Sequence, residues 1–281
     1  MSPGLDELIT NHKGRDMSLL EIDPVLVQFG PFAIRWYGVL MATSVALGFY
    51  YFRRDAARLG YSEDFVYNVA FLSVLGGIIG ARAVYVLTNW SDYRDALIEI
   101  IRIDHGGLSF HGGIIGGALA GGLYVARRRY SFNELADLAV PGIAIGIMLV
   151  RIANLINGEV LGRTMEIGLE RQPAQLIGSA VGLALLLIHN YIARRKPPAG
   201  YLFWSFVLYY SLLRGLVEET VRANPLYAWG YVNETWGIGF FTLTQIVTPV
   251  FVLLAWWMRR QAALRGRMPA GPKAAEEARR P

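Results

Sequence analysis

Long apolar stretches separated by short charged ones set the pattern of this chain. Seven segments reach the ~20 residues needed to cross a bilayer, at about 34–52, 66–88, 108–126, 135–157, 175–193, 201–221 and 239–258. The pattern therefore predicts an all-α fold, a polytopic membrane protein with seven transmembrane helices filling residues 17–260. Residues 1–16 are polar and lack the apolar core of a signal peptide, so they form an N-terminal extension or Met17 is the true start. The basic, Pro- and Ala-rich residues 261–281 read as a disordered cytoplasmic tail.

Charge turns this pattern into a topology. Of the 27 Lys and Arg residues, sixteen follow the first, third, fifth and seventh spans or lie in the tail, and seven lie in the alternate loops. The positive-inside rule then places the N-terminus outside and the C-terminus in the cytoplasm. The net charge of +5 is accounted for by those loops, so nucleic acid is not an expected partner. Only 17% of residues are charged and 54% are hydrophobic, with a mean hydropathy of +0.34. Cysteine is absent, which excludes disulfides, thiolate metal sites and an enzyme-borne thiol nucleophile. The four histidines, His12, His105, His111 and His189, show no metal-binding spacing. Neither a metal nor a cofactor is expected.

Four arginines remain inside apolar stretches: Arg35, Arg82, Arg151 and Arg214. A cation at membrane depth costs about 2.5–3.5 kcal/mol even on an insertion scale, so such residues mark sites. Arg35 lies at an outer interface beside Trp36 and Tyr37, as a snorkelling anchor would. At ~1.5 Å per residue, Arg82, Arg151 and Arg214 fall about 9–10 Å below the outer edge of their spans. Tyr37 and His111 lie at outer ends of spans. These positions together imply a polar layer open to the outer leaflet.

Arg151 and Asn154, three apart, share a helix face. Asn157 and Gly158 suit a helix end, which sets Glu159, Gly162 and Arg163 on a loop at the cavity rim. Tyr210, Arg214, Glu218 and Arg222 recur every fourth residue and form one stripe. A Glu between two arginines orients them as a fork for phosphate oxygens. Glu219 falls off that stripe and lines the outer loop. His111 opens a span between glycines and can accept a proton from a thiol or water. Arg82 is either a lipid-phosphate ligand or the ion-pair partner of Glu159 or Glu218. Glycines four apart in GGIIGAR (76–82) and GGIIGG (112–117) suit close helix packing.

The runs RIANLINGEVLGR, LSFHGGIIGG, GIIGAR, IRWYG and YYSLLRGLVEETVR all lie within about residues 20–258. Together they resemble the bacterial prolipoprotein diacylglyceryl transferases. The resemblance implies an inner-membrane transferase that moves the diacylglyceryl group of phosphatidylglycerol to the cysteine thiol of a lipobox prolipoprotein, releasing glycerol phosphate. It implies that Arg151 and Arg214 hold the donor phosphate and that His111 is a candidate thiol base. Tyr37, Asn154, Asn157, Glu159, Gly162, Tyr210 and Glu218 match further motif positions, and Arg82 is placed with them as substrate-binding. Ala153, Ala174, Ile177, Gly178 and Thr244 depart from the family pattern, which keeps a paralogue with another acceptor open. An anion or lipid transporter is the other alternative. The inner halves of the spans carry few polar residues, which disfavours it.

Overall fold

The computed structural model describes residues 22–30, 32–94, 96–103, 106–167 and 170–265. The proposed extension 1–16, Met17, His12, His105 and the tail beyond 265 lie outside the described residues. Long helices occupy all seven apolar stretches: α1 (Trp36–Arg58), α2 (Glu63–Thr88), α3 (Phe110–Arg127), α4 (Phe132–Ile156), α5 (Ala174–Ala193), α6 (Tyr201–Leu213) and α7 (Leu243–Leu264). Of these, α2, α4 and α5 are long and apolar enough to cross a membrane by length and composition. Helix α7 continues past the expected boundary at 260.

Two features correct the all-α expectation. Strands β1 (Val25–Phe29) and β2 (Phe32–Arg35) form an antiparallel hairpin, as do β3 (Leu226–Asn233) and β4 (Ile238–Thr242). Strand ends such as Phe32–Arg35 and Ile238–Thr242 abut helices without a polar break, so hydropathy alone merges them with the following span. The alternation Tyr227, Trp229, Tyr231 was the available strand signal. Helix α6 is also interrupted. From Arg214 to Glu218 it opens into a π turn and closes with one α turn, Glu219–Val221.

The described residues divide into two compact units, 22–51 with 139–265, and 52–138. In the first, Gly48 and Gly142 let α1 approach α4, their added Cβ atoms meeting the opposing Cα at 3.3 and 2.7 Å. Gly182 packs on the backbone of Ala144 and Met148, and the Ser179 hydroxyl donates to Met148 O at 3.2 Å. These small residues draw α5 against α4. Val181, Leu185 and Ala144 form a core on which Phe206, Tyr209 and Tyr210 of α6 pack.

In the second unit α2 and α3 meet through the predicted glycines. A Cβ on Gly80 would lie 2.4 Å from Gly112 O, and one on Gly116 would lie 2.2 Å from Gly76 O. Backbones this close need glycine. Ser109 caps α3 by accepting from Gly112 N, and its own N–H donates to Ala81 O at 2.9 Å.

Large apolar side chains face outward at many positions, while two adjacent carboxylates are buried. Phe71, Ile79, Leu119, Leu187, Val250 and Leu253 are each at least 60% exposed, whereas Glu218 and Glu219 are 0% exposed. Apolar side chains facing out and charges facing in are what a hydrocarbon solvent selects.

Candidate active site

The first unit gathers most of the predicted polar residues around one carboxylate. Glu218, on the π turn, is fully buried. Arg151 Nη2 of α4 stands 2.6 Å from its Oε1, Arg214 Nε 3.7 Å from its Oε2, and Arg222 Nη1 3.9 Å from its Oε1. Neither oxygen of Glu218 has a hydrogen bond of good geometry, and Arg151 Nε and Arg222 Nε are likewise without one among the described residues. Burial, and then the like charges of Arg214 and Arg151, hold Arg222 below the ordinary arginine value.

The π turn decides the composition of this cluster. The extra residue of an i→i+5 turn rotates the next turn of chain by about 100° relative to an unbroken α-helix. Glu219, expected on the outer loop, is thereby turned inward and fully buried. It accepts from Arg214 Nη1, from Asn224 Nδ2 at 2.6 Å, and from the Thr242 hydroxyl. Arg214 thus has a carboxylate from each of two consecutive residues. No sequence periodicity announces a π turn; the adjacent Glu-Glu pair was the only hint.

Helix α4 ends as predicted. Gly158, at φ +67°, donates to Leu155 O, and Glu159 N donates to Asn154 O at 2.8 Å. This paired 5→2 and 6→1 arrangement turns the chain back on the helix. The Glu159 carboxylate then receives Asn154 Nδ2 at 2.8 Å and Asn157 Nδ2 at 3.3 Å, while Asn154 Oδ1 accepts from Arg151 Nη1 at 3.3 Å. Gln175 Nε2 fastens Glu159 O from α5 at 2.8 Å. Val160, next in line, sits at φ +57°, a strained position for a β-branched residue and one often found at functional loops.

Gly162 sits where a Cβ would fall 1.9 Å from Gln172 O. It bridges to Arg222 in an antiparallel pair, with Arg163 N donating to Val221 O and Ala223 N to Leu161 O. Arg163 Nη2 donates to Asn224 O at 2.9 Å. Burial holds the Arg163 guanidinium below its ordinary value, and the nearby Glu219 carboxylate opposes that fall. Gly178 carries no Cβ where one would lie 2.7 Å from Arg151 Nε and 3.0 Å from Glu218 Cδ. The missing side chain leaves the room that this ion pair occupies.

Tyr37 lies close enough to Glu159 and Arg151 to feel both charges. Tyr210 does not join the polar cluster. It stacks on Phe206 at 5.8 Å and packs on the α4–α5 core, so it props the base of the stripe.

Two predicted residues belong to the other unit. His111 is exposed in the first turn of α3. Arg82 is 6% exposed and donates to five backbone carbonyls, those of Glu99, Ile100, Arg102, Gly106 and Gly107. Its guanidinium also lies over Tyr93 at 5.1 Å. Five N–H donors is the full complement of an arginine, so none is left for a phosphate or a carboxylate. Arg82 was expected as a phosphate ligand or as the ion-pair partner of Glu159 or Glu218; the partners observed are these backbone carbonyls, so it organises this loop. Gly107, at φ +78°, lies against it, a Cβ there falling 2.7 Å from Arg82 Nη1.

A family model described as prolipoprotein diacylglyceryl transferase matches residues 24–260. This chain belongs to that family. A phosphatidylglycerol–prolipoprotein diacylglyceryl transferase of Thermoanaerobacter sp. (strain X514) is 48% identical to it, over 87% of this chain and 96% of the relative. Proteins of the same name from Thermus thermophilus and Deinococcus radiodurans are 40% and 32% identical, over 84% and 87% of this chain and 97% and 87% of their own lengths. The family match spans both units and reaches all seven helices, so it covers the cluster around Glu218 as well as Arg82 and His111.

Proposed function

We propose that this protein, like the relatives named phosphatidylglycerol–prolipoprotein diacylglyceryl transferase, transfers the diacylglyceryl group of phosphatidylglycerol to prolipoproteins, and that the acceptor is the cysteine thiol of the lipobox. The reading rests above all on Arg151 and Arg214 converging on one buried carboxylate from separate helices, with guanidinium donors unused. In the proposed reaction the thiolate sulfur attacks the glyceryl carbon next to the phosphate. The C–O bond breaks, the electron pair leaves with glycerol phosphate, and the thioether forms. Charge grows on the departing phosphate oxygens, and fixed guanidiniums in a water-poor site stabilise it without reorganising. Arg151 and Arg214 take that role. Glu218 and Glu219 aim them, and the Asn154–Glu159 chain with Asn157 and Gly162 holds the rim. His111 is the proposed acceptor of the thiol proton, on its motif alone.

The same reading makes the chain a seven-span protein of the bacterial cytoplasmic membrane, N-terminus outside and C-terminus inside, with the arginines opening to the outer leaflet. The membrane domain is 17–260, flanked by the extension and the basic tail. Phosphatidylglycerol and exported prolipoproteins both reach that leaflet. The test is conversion of a lipobox peptide by membranes containing the protein, read by mass. The expected product carries one diacylglyceryl group and appears only when phosphatidylglycerol is supplied. Conversion at full rate without it, or by the Arg151→Ala/Arg214→Ala double variant, overturns the reading.

A further inference from the structure

On the seven-span reading, the C-terminal ends of α5 and α7 and the start of α6 face the cytoplasm, opposite the candidate active site. Helix α6 packs against both of the others. One arginine there is turned inward. Arg259 lies between Ala255 and Ala262, which are 0% and 6% exposed and share its face of α7. Its guanidinium stands 4.7 Å from the centre of the Tyr201 ring and 5.9 Å from that of Tyr209, both on α6, and Nη2 donates to the Tyr201 hydroxyl. The Ser205 hydroxyl donates to Tyr201 O at 2.7 Å, which ties down the turn of helix that carries this ring.

Its unspent donors set Arg259 apart. Nε is buried with no hydrogen-bond partner among the described residues, and Nη1 makes no hydrogen bond but is not enclosed. No ion pair reaches Arg259 among the described residues. Residues 174–213 and 243–265 contain no Asp or Glu, yet in their basic runs hold Arg194, Arg195, Lys196, Arg259, Arg260 and Arg265. This cation therefore lacks the carboxylates that Arg151 and Arg214 meet. The two ring faces stabilise its charge but leave the planar N–H fork without oxygen acceptors. The Tyr201 hydroxyl accepts from Arg259 and so keeps its own proton to donate. Nη1, the second Nη2 hydrogen and that phenol form a donor set for an anion with several oxygens, as phosphate has.

The neighbouring side chains select the source of the phosphate. Leu253, Trp256 and Trp257, within two turns towards the middle of α7, are 65%, 51% and 51% exposed. Arg260 lies over Trp256 at 5.8 Å and adds charge at the same boundary. A phospholipid with its phosphate at Arg259 lays its acyl chains along those apolar side chains, whereas a free phosphate has no use for them. We propose that Arg259 and Tyr201 hold the phosphate of an anionic phospholipid in the cytoplasmic leaflet, at a lipid site separate from the donor site around Arg151 and Arg214.

The leaflet rests on the seven-span reading, and one reporter tests the two separately. The chain has no cysteine, so Ala263→Cys, exposed one turn beyond Arg259, carries a single fluorophore. Full-length protein is placed in phosphatidylcholine nanodiscs with a minor fraction of nitroxide-labelled phosphatidylglycerol or phosphatidylcholine. At equal mole fraction the phosphatidylglycerol nitroxide is expected to quench at least about threefold more, the scale of one basic side chain meeting an anionic lipid. Arg259→Gln should bring that ratio to about one, and Tyr201→Phe and Arg259→Lys, which keep the ring or the charge, should each lower it by about half. A ratio unchanged in Arg259→Gln overturns the site. So does one that Arg259→Lys keeps in full and salt alone removes, the mark of a diffuse basic surface. Displacement by inorganic phosphate at matched ionic strength identifies free phosphate as the ligand and overturns the lipid. The Arg151→Ala/Arg214→Ala variant should keep the parent ratio; a fall to that of Arg259→Gln assigns the signal to the donor site and overturns a separate one. Labelling of Ala263→Cys in intact cells by an impermeant maleimide overturns the cytoplasmic leaflet, a failure of the seven-span reading, while the quenching ratios decide the lipid site.

Discussion

Two buried arginine sites on different units show how the same side chain serves opposite ends. Arg82 donates its whole fork to five neutral carbonyls, those of Glu99, Ile100, Arg102, Gly106 and Gly107. Arg151 and Arg214 face carboxylates, make one hydrogen bond each to a side chain, and keep donors unspent. A saturated guanidinium has nothing left with which to bind a ligand. A guanidinium held by ion pairs and few hydrogen bonds can accept a second anion when one arrives, because the new bonds add to those already present. Burial depth in the sequence does not separate these cases; donor accounting in three dimensions does.

The largest effect expected on catalysis comes from the unsaturated pair. Arg151→Lys and Arg214→Lys keep the charge and lose the planar fork, and each should lower kcat by about 10²–10³-fold, the scale for losing one preorganised donor to a developing oxyanion. Single-turnover peptide conversion in nanodiscs reads this. An effect under threefold at both positions would erase the contrast with Arg82. Arg82→Ala should act first on stability. Five carbonyls lose their partner, and even a partial loss of about 1–3 kcal/mol per unsatisfied group exceeds ordinary single-site effects. Limited proteolysis within residues 97–107, and a fall in melting temperature, are the expected readouts.

Glu219→Gln tests the π turn. It keeps the shape but removes one charge from the pair around Arg214, and about a tenfold loss in kcat/KM is expected with little change in fold. Glu218→Gln should be the more harmful of the two, since three guanidiniums surround that carboxylate. Gly178→Ala inserts a methyl against Arg151 and Glu218, and a loss of several-fold in rate is expected from displacement of the guanidinium. Gly146→Ala, whose added Cβ meets nothing within 4 Å, is the matched control and should behave as the parent.

The smallest effect concerns the second unit at high pH. The Tyr61 hydroxyl donates to Glu134 at 3.1 Å. Burial first, and then the Glu134 charge, push its ionisation well above the ordinary value of 10.0. The folded state therefore holds the phenolic proton more tightly than the unfolded state. Tyr61 contributes its stability in full below about pH 10 and loses it as pH rises from there through the raised folded value. Tyr61→Phe should flatten that alkaline slope by up to about 1.4 kcal/mol per pH unit. A denaturation series in detergent between pH 8 and 11 checks it.

The helices were readable from hydropathy because a 20-residue apolar run has few other uses. The end of α4 was readable as well, since Asn157-Gly158 has the chemistry of a helix stop. Asn154 beside Arg151 was legible from three-residue spacing. The hairpins were not, because four- and five-residue strands next to a span have the same hydropathy as the span. Tyr210 was placed on the polar stripe by a four-residue repeat that the structure spends on packing against Phe206. Thr242 carried no sequence signal at all; it reaches Glu219 only because β4 passes beside the π turn.

Patterning along one chain decided which segments become helices, which ends are polar and which residue types are available for anion chemistry. Those properties arise from local periodicity and from the cost of charge in an apolar medium. The partner of each buried charge was decided by the fold. Arg82 met carbonyls from a loop 17–25 residues away, Arg151 met Glu218 from another helix, and one extra residue in a turn brought Glu219 to Arg214. Hydrogen bonds and ion pairs form over about 3–4 Å, a range set by how helices pack and turn and one that spacing along the chain does not encode.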